Sequence, residues 1–233
     1  SDITNYQSAG EAVEQALDFY GDLHCVINNA GNNRDRMFAS LSEADWDAVM
    51  AVHLKGHFCI SSHAVQHWRH QVKAGHAVSA RIINTTSGAG LQGSIGQSNY
   101  AAAKAGIAAL TINQGAELGR YGITANAICP VARTGMTTAV PEMAERMAAP
   151  ADGSFDHFAP ENVSSVVVWL CSEASAHVTG KIIEAEGGRI ALADGWRSTE
   201  GIEQQARWEP EEVGSVMARL LEQEQLPQKV WGT

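Results

Sequence analysis

Short apolar runs alternate along the chain with stretches in which apolar residues return every third or fourth position. LHCVINNAG (residues 23–31), ARIINTTSG (80–88), GITANAICP (122–130) and GKIIEAEGG (180–188) are continuous enough to be buried strands, each closing on glycine or proline. Between them YQSAGEAVEQALDFY (6–20) reads as an amphipathic helix stopped by Gly21. SLSEADWDAV opens another helix, with Ser42 as N-cap and Asp45 in the first turn, and a long helix continues through AVHLKGHFCISSHAVQHWRHQ. Residues 97–119 form an alanine-rich helix, and ENVSSVVVWLCSEAS forms one entered at Pro160. Strands alternating with helices of this length predict an α/β domain: a parallel sheet covered by helices, with GKIIEAEGG as its last strand.

Two regions break the alternation. After Pro130 the stretch TGMTTAVPEMAERMAAPADGSFDHF is rich in Met, Ala, Pro and Gly, which predicts short mobile helices over a site. Past residue 190 come a tryptophan-bearing segment and a last amphipathic helix, PEEVGSVMARLLEQEQ. The expected organisation is one domain over 1–190 and an extension over 191–233 that packs on the domain or on a neighbouring subunit.

Composition narrows the chemistry. The 233 residues are 45% hydrophobic and 18% charged, an ordinary globular balance. A net charge of −10 argues against nucleic acid or an anionic membrane as a main partner, while leaving room for a local basic pocket around a phosphorylated substrate. No apolar run approaches a membrane span and no signal pattern opens the chain, so a cytoplasmic protein is expected. Cys25, Cys59, Cys129 and Cys171 stand apart in apolar runs, as buried free thiols do. His63, His67 and His70 have the spacing of a metal face, but no carboxylate or cysteine joins their stripe. They read as structural or interface histidines, and no metal site is expected.

The stretch GQSNYAAAKAG (96–106) carries the chemistry. Tyr100 and Lys104, four apart on a helix, share a face. A neighbouring ammonium stabilises a phenolate, so the pair suits a tyrosine acting as acid or base, and the alanines around it leave clearance for a ligand. An isolated pair of this spacing is more often an exposed surface pair. Here Ser87 ends the strand ARIINTTS, and the loop after it can return its hydroxyl toward Tyr100.

Asn28-Asn29-Ala30-Gly31, strand-terminal Ser87 and Tyr100-x-x-x-Lys104 together resemble the short-chain dehydrogenase/reductase family. GITANAICP, PENVSSVVVWLCSEASAHVTGKIIEAEGG and the opening Ser1-Asp2-Ile3 match it too, in order and spacing over residues 1 to about 190. The resemblance implies a Rossmann-like doubly wound parallel sheet and a cofactor that is NAD or NADP, with NAD favoured. It makes Tyr100 the acid/base, Lys104 its partner and the holder of the nicotinamide ribose, and Ser87 the group on the substrate oxygen. Asn28, Ala30 and Gly31 would line the adenosine ribose, Asp2 and Ile3 would meet the adenine, and Pro130, Val131 and Thr134 would face the carboxamide and phosphates. The family usually has Pro-Gly where Pro130-Val131 stands, and a slightly longer spacing to the threonine.

Other departures refine the resemblance. His53, in AVHLKG, stands where most members carry an asparagine of a proton relay; an imidazole offers a donor and an acceptor for that task. VHLKG, NNAGxxRDRxFAxLSxxDWD and the tail with Gly195-Trp196 and Arg207-Trp208 are similar to the 3-hydroxyacyl-CoA dehydrogenase part of peroxisomal multifunctional enzymes and bacterial relatives acting on acyl-CoA or steroid-CoA. That branch implies a CoA thioester substrate, no membrane or nucleic-acid partner, and a homodimer or homotetramer. Arg34-Asp35-Arg36 would frame the substrate mouth. One or two βα units, of about thirty residues each, that would hold the glycine-rich pyrophosphate turn are expected before Ser1. The competing reading is a non-catalytic subunit or scaffold without a dinucleotide site.

Overall fold

The computed structural model describes residues 1–193, 200–205 and 207–222. They divide into two compact units, one of residues 1–193 and one within 194–229. In the first unit the elements run α1 (Tyr6–Tyr20), β1 (Cys25–Asn28), α2 (Glu43–Met50), α3 (Gly56–Lys73), β2 (Ala80–Thr85), α4 (Gly88–Gln92), α5 (Ser98–Leu118) and β3 (Ile123–Val131). They continue with α6 (Gly135–Thr138), α7 (Pro141–Arg146), α8 (Glu161–Cys171), β4 (Ile182–Glu186) and β5 (Arg189–Leu192).

Gly21 and Ser42 cap their helices as expected, and Asn5 adds a third cap. Asn5 accepts the Ser8 N–H at 3.0 Å to open α1, and Gly21, at φ +81°, closes it with an N–H to Leu17 O. Ser42 accepts the Asp45 N–H at 3.1 Å to open α2. The strands lie in the order β1-β2-β3-β4-β5, the first four parallel, which gives the expected Rossmann-like sheet. One face of β2 and β3 presents Ile82, Ile123 and Ala125 to Ala64 and Trp68 of α3 and Leu118 of α5. The other, continued into β4 by Ile183, presents Ile83 and Ile128 to Val163, Val166 and Leu170 of α8.

Three features differ from the expectation. GKIIEAEGG is not the last strand: Gly187 and Gly188 make a two-residue hairpin, with Gly187 at φ +52°, and β5 returns antiparallel to β4. The strand at 23–31 is shorter and is buried on one face. Val26 and Asn28 point inward while Ile27 is 50% exposed, because α8 packs over β2, β3 and β4. The long helix is interrupted between α2 and α3 by a π-helical turn, Ala51–Lys55.

After β3 the chain forms the short helices α6 and α7. Arg133 pins this stretch, donating to Met147 O at 2.7 Å and pairing with Asp156, while the Met147 side chain is buried. The second unit contains α9 (Pro210–Glu222), which carries Val213, Met217 and Leu221 along one stripe. Gly195-Trp196 lies outside the described residues.

Candidate active site

The carboxyl ends of β1 and β2 build the site. Arg81 sends its N–H to His24 O and Thr86 sends its own to Ile128 O, so odd residues of β2 face β1 and even ones face β3. The β1–β2 register stops at Asn28 opposite Asn84, and the Thr85 carbonyl lies just past the last rung. Lys104 of α5 takes that carbonyl with Nζ at 2.7 Å. The lysine's own backbone is held as well, its carbonyl accepting Thr86 Oγ1 at 2.7 Å. Lys104 is 2% exposed, and burial pulls its ammonium down to about 8.

Tyr100 sits one turn earlier, its ring centroid 5.4 Å from Lys104 Nζ. Ser87 caps α4, its Oγ accepting the Ala89 N–H at 3.2 Å, and its hydroxyl lies near enough to the Tyr100 phenol to act on its pKa. The structure therefore brings Ser87, Tyr100 and Lys104 together. The phenol differs from the expectation in one respect. Burial raises its pKa above the ordinary tyrosine value, the nearby Ser87 hydroxyl opposes that, and Cys129 and Asp35 add to the rise. Tyr100 is a neutral phenol at pH 7, poised as a donor.

A glycine makes the approach of Ser87 possible. A Cβ on Gly90 would stand 2.6 Å from Ala105 N and Lys104 C, both backbone atoms of α5. Helix α4 thus rides directly on the turn that carries Lys104. Gly90→Ala is expected to push the two helices apart, costing about 1–3 kcal/mol of stability and at least tenfold in turnover, read by thermal melting and steady-state kinetics.

His53 belongs to the same cluster. Its ring stands edge-on to Tyr100 with centroids 5.1 Å apart, and its Nε2 lies 2.8 Å from Asn32 O. Nδ1 is buried with no protein partner among the described residues. Burial first, then the Lys104 charge, lower its pKa to about 4, so the ring is neutral at pH 7. Gly31 lies against it, since a Cβ there would meet His53 Cε1 at 2.6 Å. The π-helical turn that carries His53 is a distortion found frequently at functional sites.

The other expected residues surround this cluster with contacts of their own. Asn28 spends its amide on Ser61 Oγ and Asn84 Oδ1, both at 2.9 Å, tying β1 to α3 and β2, while Ala30 is exposed. Asp2 accepts Thr4 N and Thr4 Oγ1, and Ile3 lies on Gly56 of α3. Pro130 and Val131 end β3, and Thr134 caps α6 in a capping box with Thr137. The Arg34-Asp35-Arg36 loop abuts the start of α5: Arg36 N donates to Gly96 O at 2.8 Å, and Gln97 donates to Asp35 at 3.0 Å. His63 and His67 go separate ways, to Tyr6 O and to Asp22.

Two residues not singled out in the sequence complete the site. Asn99 is fully buried, donates to Arg34 O and Asp45 O, and accepts the Tyr100 N–H at 2.8 Å, locking the loop to the tyrosine. His57, also buried, accepts the Thr85 N–H on Nε2 at 3.4 Å. An asparagine directly before the tyrosine is the only trace the first leaves in the sequence; the second leaves none.

Part of a nicotinamide dinucleotide fits what is present. A buried ammonium has three protons and Lys104 commits one to Thr85, so two remain for the hydroxyls of a ribose beside Tyr100. The described residues contain no glycine-rich strand-to-helix turn of the kind that cradles a pyrophosphate.

Comparison with known proteins agrees with this geometry. A family model described as enoyl-(acyl carrier protein) reductase matches residues 1–189. The hydroxyacyl-CoA dehydrogenase ChsB1 of Mycobacterium tuberculosis is 46% identical over 193 residues, which is 82% of this chain and 60% of that protein. The 3-oxoacyl-[acyl-carrier-protein] reductase FabG of Thermotoga maritima is 35% identical over 81% of this chain and 74% of its own length. A short chain dehydrogenase from Mycobacterium avium superposes with a TM-score of 0.90 at 50% identity, covering all of this chain and 76% of that one. With the parallel sheet, the Ser87–Tyr100–Lys104 cluster and these relatives in agreement, the chain belongs to the short-chain dehydrogenase/reductase family.

Proposed function

We propose that the protein is an NAD(P)-dependent oxidoreductase interconverting a secondary alcohol and a ketone, with a 3-hydroxyacyl-CoA or steroid-type CoA thioester as substrate and NAD as the favoured cofactor. The observation that carries this reading is the Tyr100 phenol, set beside the Ser87 hydroxyl and one helical turn from the Lys104 ammonium. The CoA assignment draws support from relatives named as hydroxyacyl-CoA dehydrogenase of Mycobacterium tuberculosis and (3R)-3-hydroxyacyl-CoA dehydrogenase of Rattus norvegicus. The nicotinamide ring, when bound, supplies the hydride acceptor or donor. Lys104 and Tyr100 would hold its ribose, and Pro130, Val131 and Thr134 would face the carboxamide and phosphates. Asn28, Ala30 and Gly31 would lie by the adenosine ribose, and Asp2 and Ile3 by the adenine.

In the reducing direction Tyr100 gives its phenolic proton to the ketone oxygen while Ser87 donates a second hydrogen bond to the same atom. Lys104 stabilises the phenolate so formed, and a water at the unpaired Nδ1 of His53 returns a proton from outside. Neutral His53, with Nε2 on the Asn32 carbonyl, would hold that water by accepting its hydrogen bond at Nδ1 and stay uncharged while the water passes the proton inward. Oxidation runs the same steps backward. An open apolar hollow lined by Met50, Leu54, Phe58 and Leu110 supports a homodimer or homotetramer through the long helices.

Both protonated groups serve reduction, so its rate is expected to fall as pH rises through about 8, where Lys104 loses its charge. The profile of kcat against pH checks this, and a flat profile to pH 10 would remove Lys104 from the mechanism. The substrate class is tested by turnover of 3-hydroxyacyl-CoA against the same acyl group on acyl carrier protein, with NAD and NADP in parallel. The CoA thioester is expected to be preferred; preference for the carrier protein would reassign the substrate. Failure to bind either cofactor would leave the non-catalytic subunit.

A further inference from the structure

His57 is absent from the chemistry described so far, yet it is 1% exposed and lies against three parts of the site at once. Its Nε2 accepts the Thr85 N–H at 3.4 Å, and its ring lies beside the backbone of His53, one turn earlier, and of Asn28, at the end of β1. Thr85 is the residue whose carbonyl holds Lys104. The two main-chain groups of Thr85 that face β1 thus each meet a side chain: the N–H shares its ladder position opposite β1 with His57 Nε2 at 3.4 Å, and the C=O takes the Lys104 ammonium. The division follows from hydrogen-bonding capacity. An ammonium has only donors and can take only the carbonyl, whereas the N–H can be shared with the lone pair of a neutral imidazole.

We infer that His57 is a positioning residue of the site, a neutral acceptor that holds Thr85 by its N–H and so keeps the Thr85 carbonyl on the Lys104 ammonium. The inference rests on the proposed catalytic reading only for its bearing on turnover; the hold on Lys104 stands on geometry. The titratable groups facing the ring are Lys104 from α5 and His53 from its own helix. An imidazolium here would set a proton against the Thr85 N–H and a cation beside Lys104. Burial first and Lys104 second keep the ring neutral, with its pKa pulled down to about 3.

The test reads the proton on Lys104 rather than turnover. Carbon-13 at the lysine Cε positions gives a titration curve for each lysine, and Lys104→Met assigns the relevant one. The parent midpoint is expected at about 8. His57→Phe keeps the ring volume but removes the acceptor. The Lys104 midpoint is expected to fall by about one unit, a tenfold loss of proton affinity, as the ammonium loses a firmly held carbonyl. His57→Gln, whose amide reaches the Nε2 position, is expected to restore the parent midpoint; His57→Asn, which reaches only the Nδ1 position, is not. An unchanged midpoint in the Phe and Asn variants overturns the assignment, and so does a Gln variant that titrates like Asn. The Gln–Asn contrast decides the matter alone should the Phe variant not fold. Should Tyr100→Phe keep full turnover, the catalytic reading fails while this titration still reports on His57.

Discussion

Tyr100→Phe is expected to lower kcat by about 10²–10⁴-fold while leaving NAD(P)(H) binding nearly intact, the usual contribution of a positioned acid/base. That loss corresponds to roughly 3–5 kcal/mol of barrier. The substitution removes one oxygen and little else. The ring keeps its edge-on contact with His53, α5 keeps Lys104 on the Thr85 carbonyl, and Ser87 keeps its place as the cap of α4. A deficit confined to kcat therefore reports the missing proton rather than a displaced helix. Isothermal titration with NADH and single-turnover kinetics separate the two, and unchanged turnover in the variant would remove Tyr100 from the chemistry.

The second large effect is on stability in acid. His53 and His57 are each 1% exposed and stay neutral in the folded protein, with pKa values of about 4 and about 3. In the unfolded chain both return to about 6.5. Between these values the unfolded state binds more protons, so stability is intact above pH 6.5 and falls as pH drops toward the folded values. Each ring costs about 1.4 kcal/mol per pH unit in that window, or about 3 kcal/mol from pH 6.5 to 4.5. Together they are of the order of a domain's whole net stability. Urea unfolding at pH 7 and pH 5 is expected to show the loss, and His53→Gln combined with His57→Gln to flatten it; a parent already flat would contradict the burial of neutral rings. Lys104 acts in the same sense at higher pH: its buried ammonium is a cost below pH 8 that is relieved as pH rises toward 10.5.

Where a structural feature depends on neighbours along the chain, it was readable. Ser42 and Asp45 lie three apart and do cap α2, and Tyr100 and Lys104 lie four apart and do share a face. The β4–β5 hairpin was readable in principle, because Gly187-Gly188 is a two-residue turn signal, but Arg189–Leu192 is too short and mixed to stand out as a strand. The π-helical turn was not, because AVHLK has nothing that separates it from ordinary helix. His57 and Asn99 were hidden for another reason. Their partners, Thr85 and Arg34, are distant in sequence, and only the folded backbone presents the N–H or carbonyl that each one answers. The tyrosine's raised pKa was missed likewise: spacing revealed the lysine but not the depth of burial that outweighs it.

The turn at Ala51–Lys55 also constrains how this protein can be aligned and re-engineered. A π turn accommodates one more residue than an α-helical turn, and each residue rotates a helix by about 100°. Removing one residue between Ala51 and Lys55 would leave a sequence that still looks like a continuous helix. It would nevertheless swing the helix beyond it by about a quarter of a revolution, carrying His57 off Thr85 and Gly56 off Ile3. A one-residue gap here is therefore a functional marker: homologues that lack the extra residue cannot be assumed to place their fifty-seventh side chain where this one does.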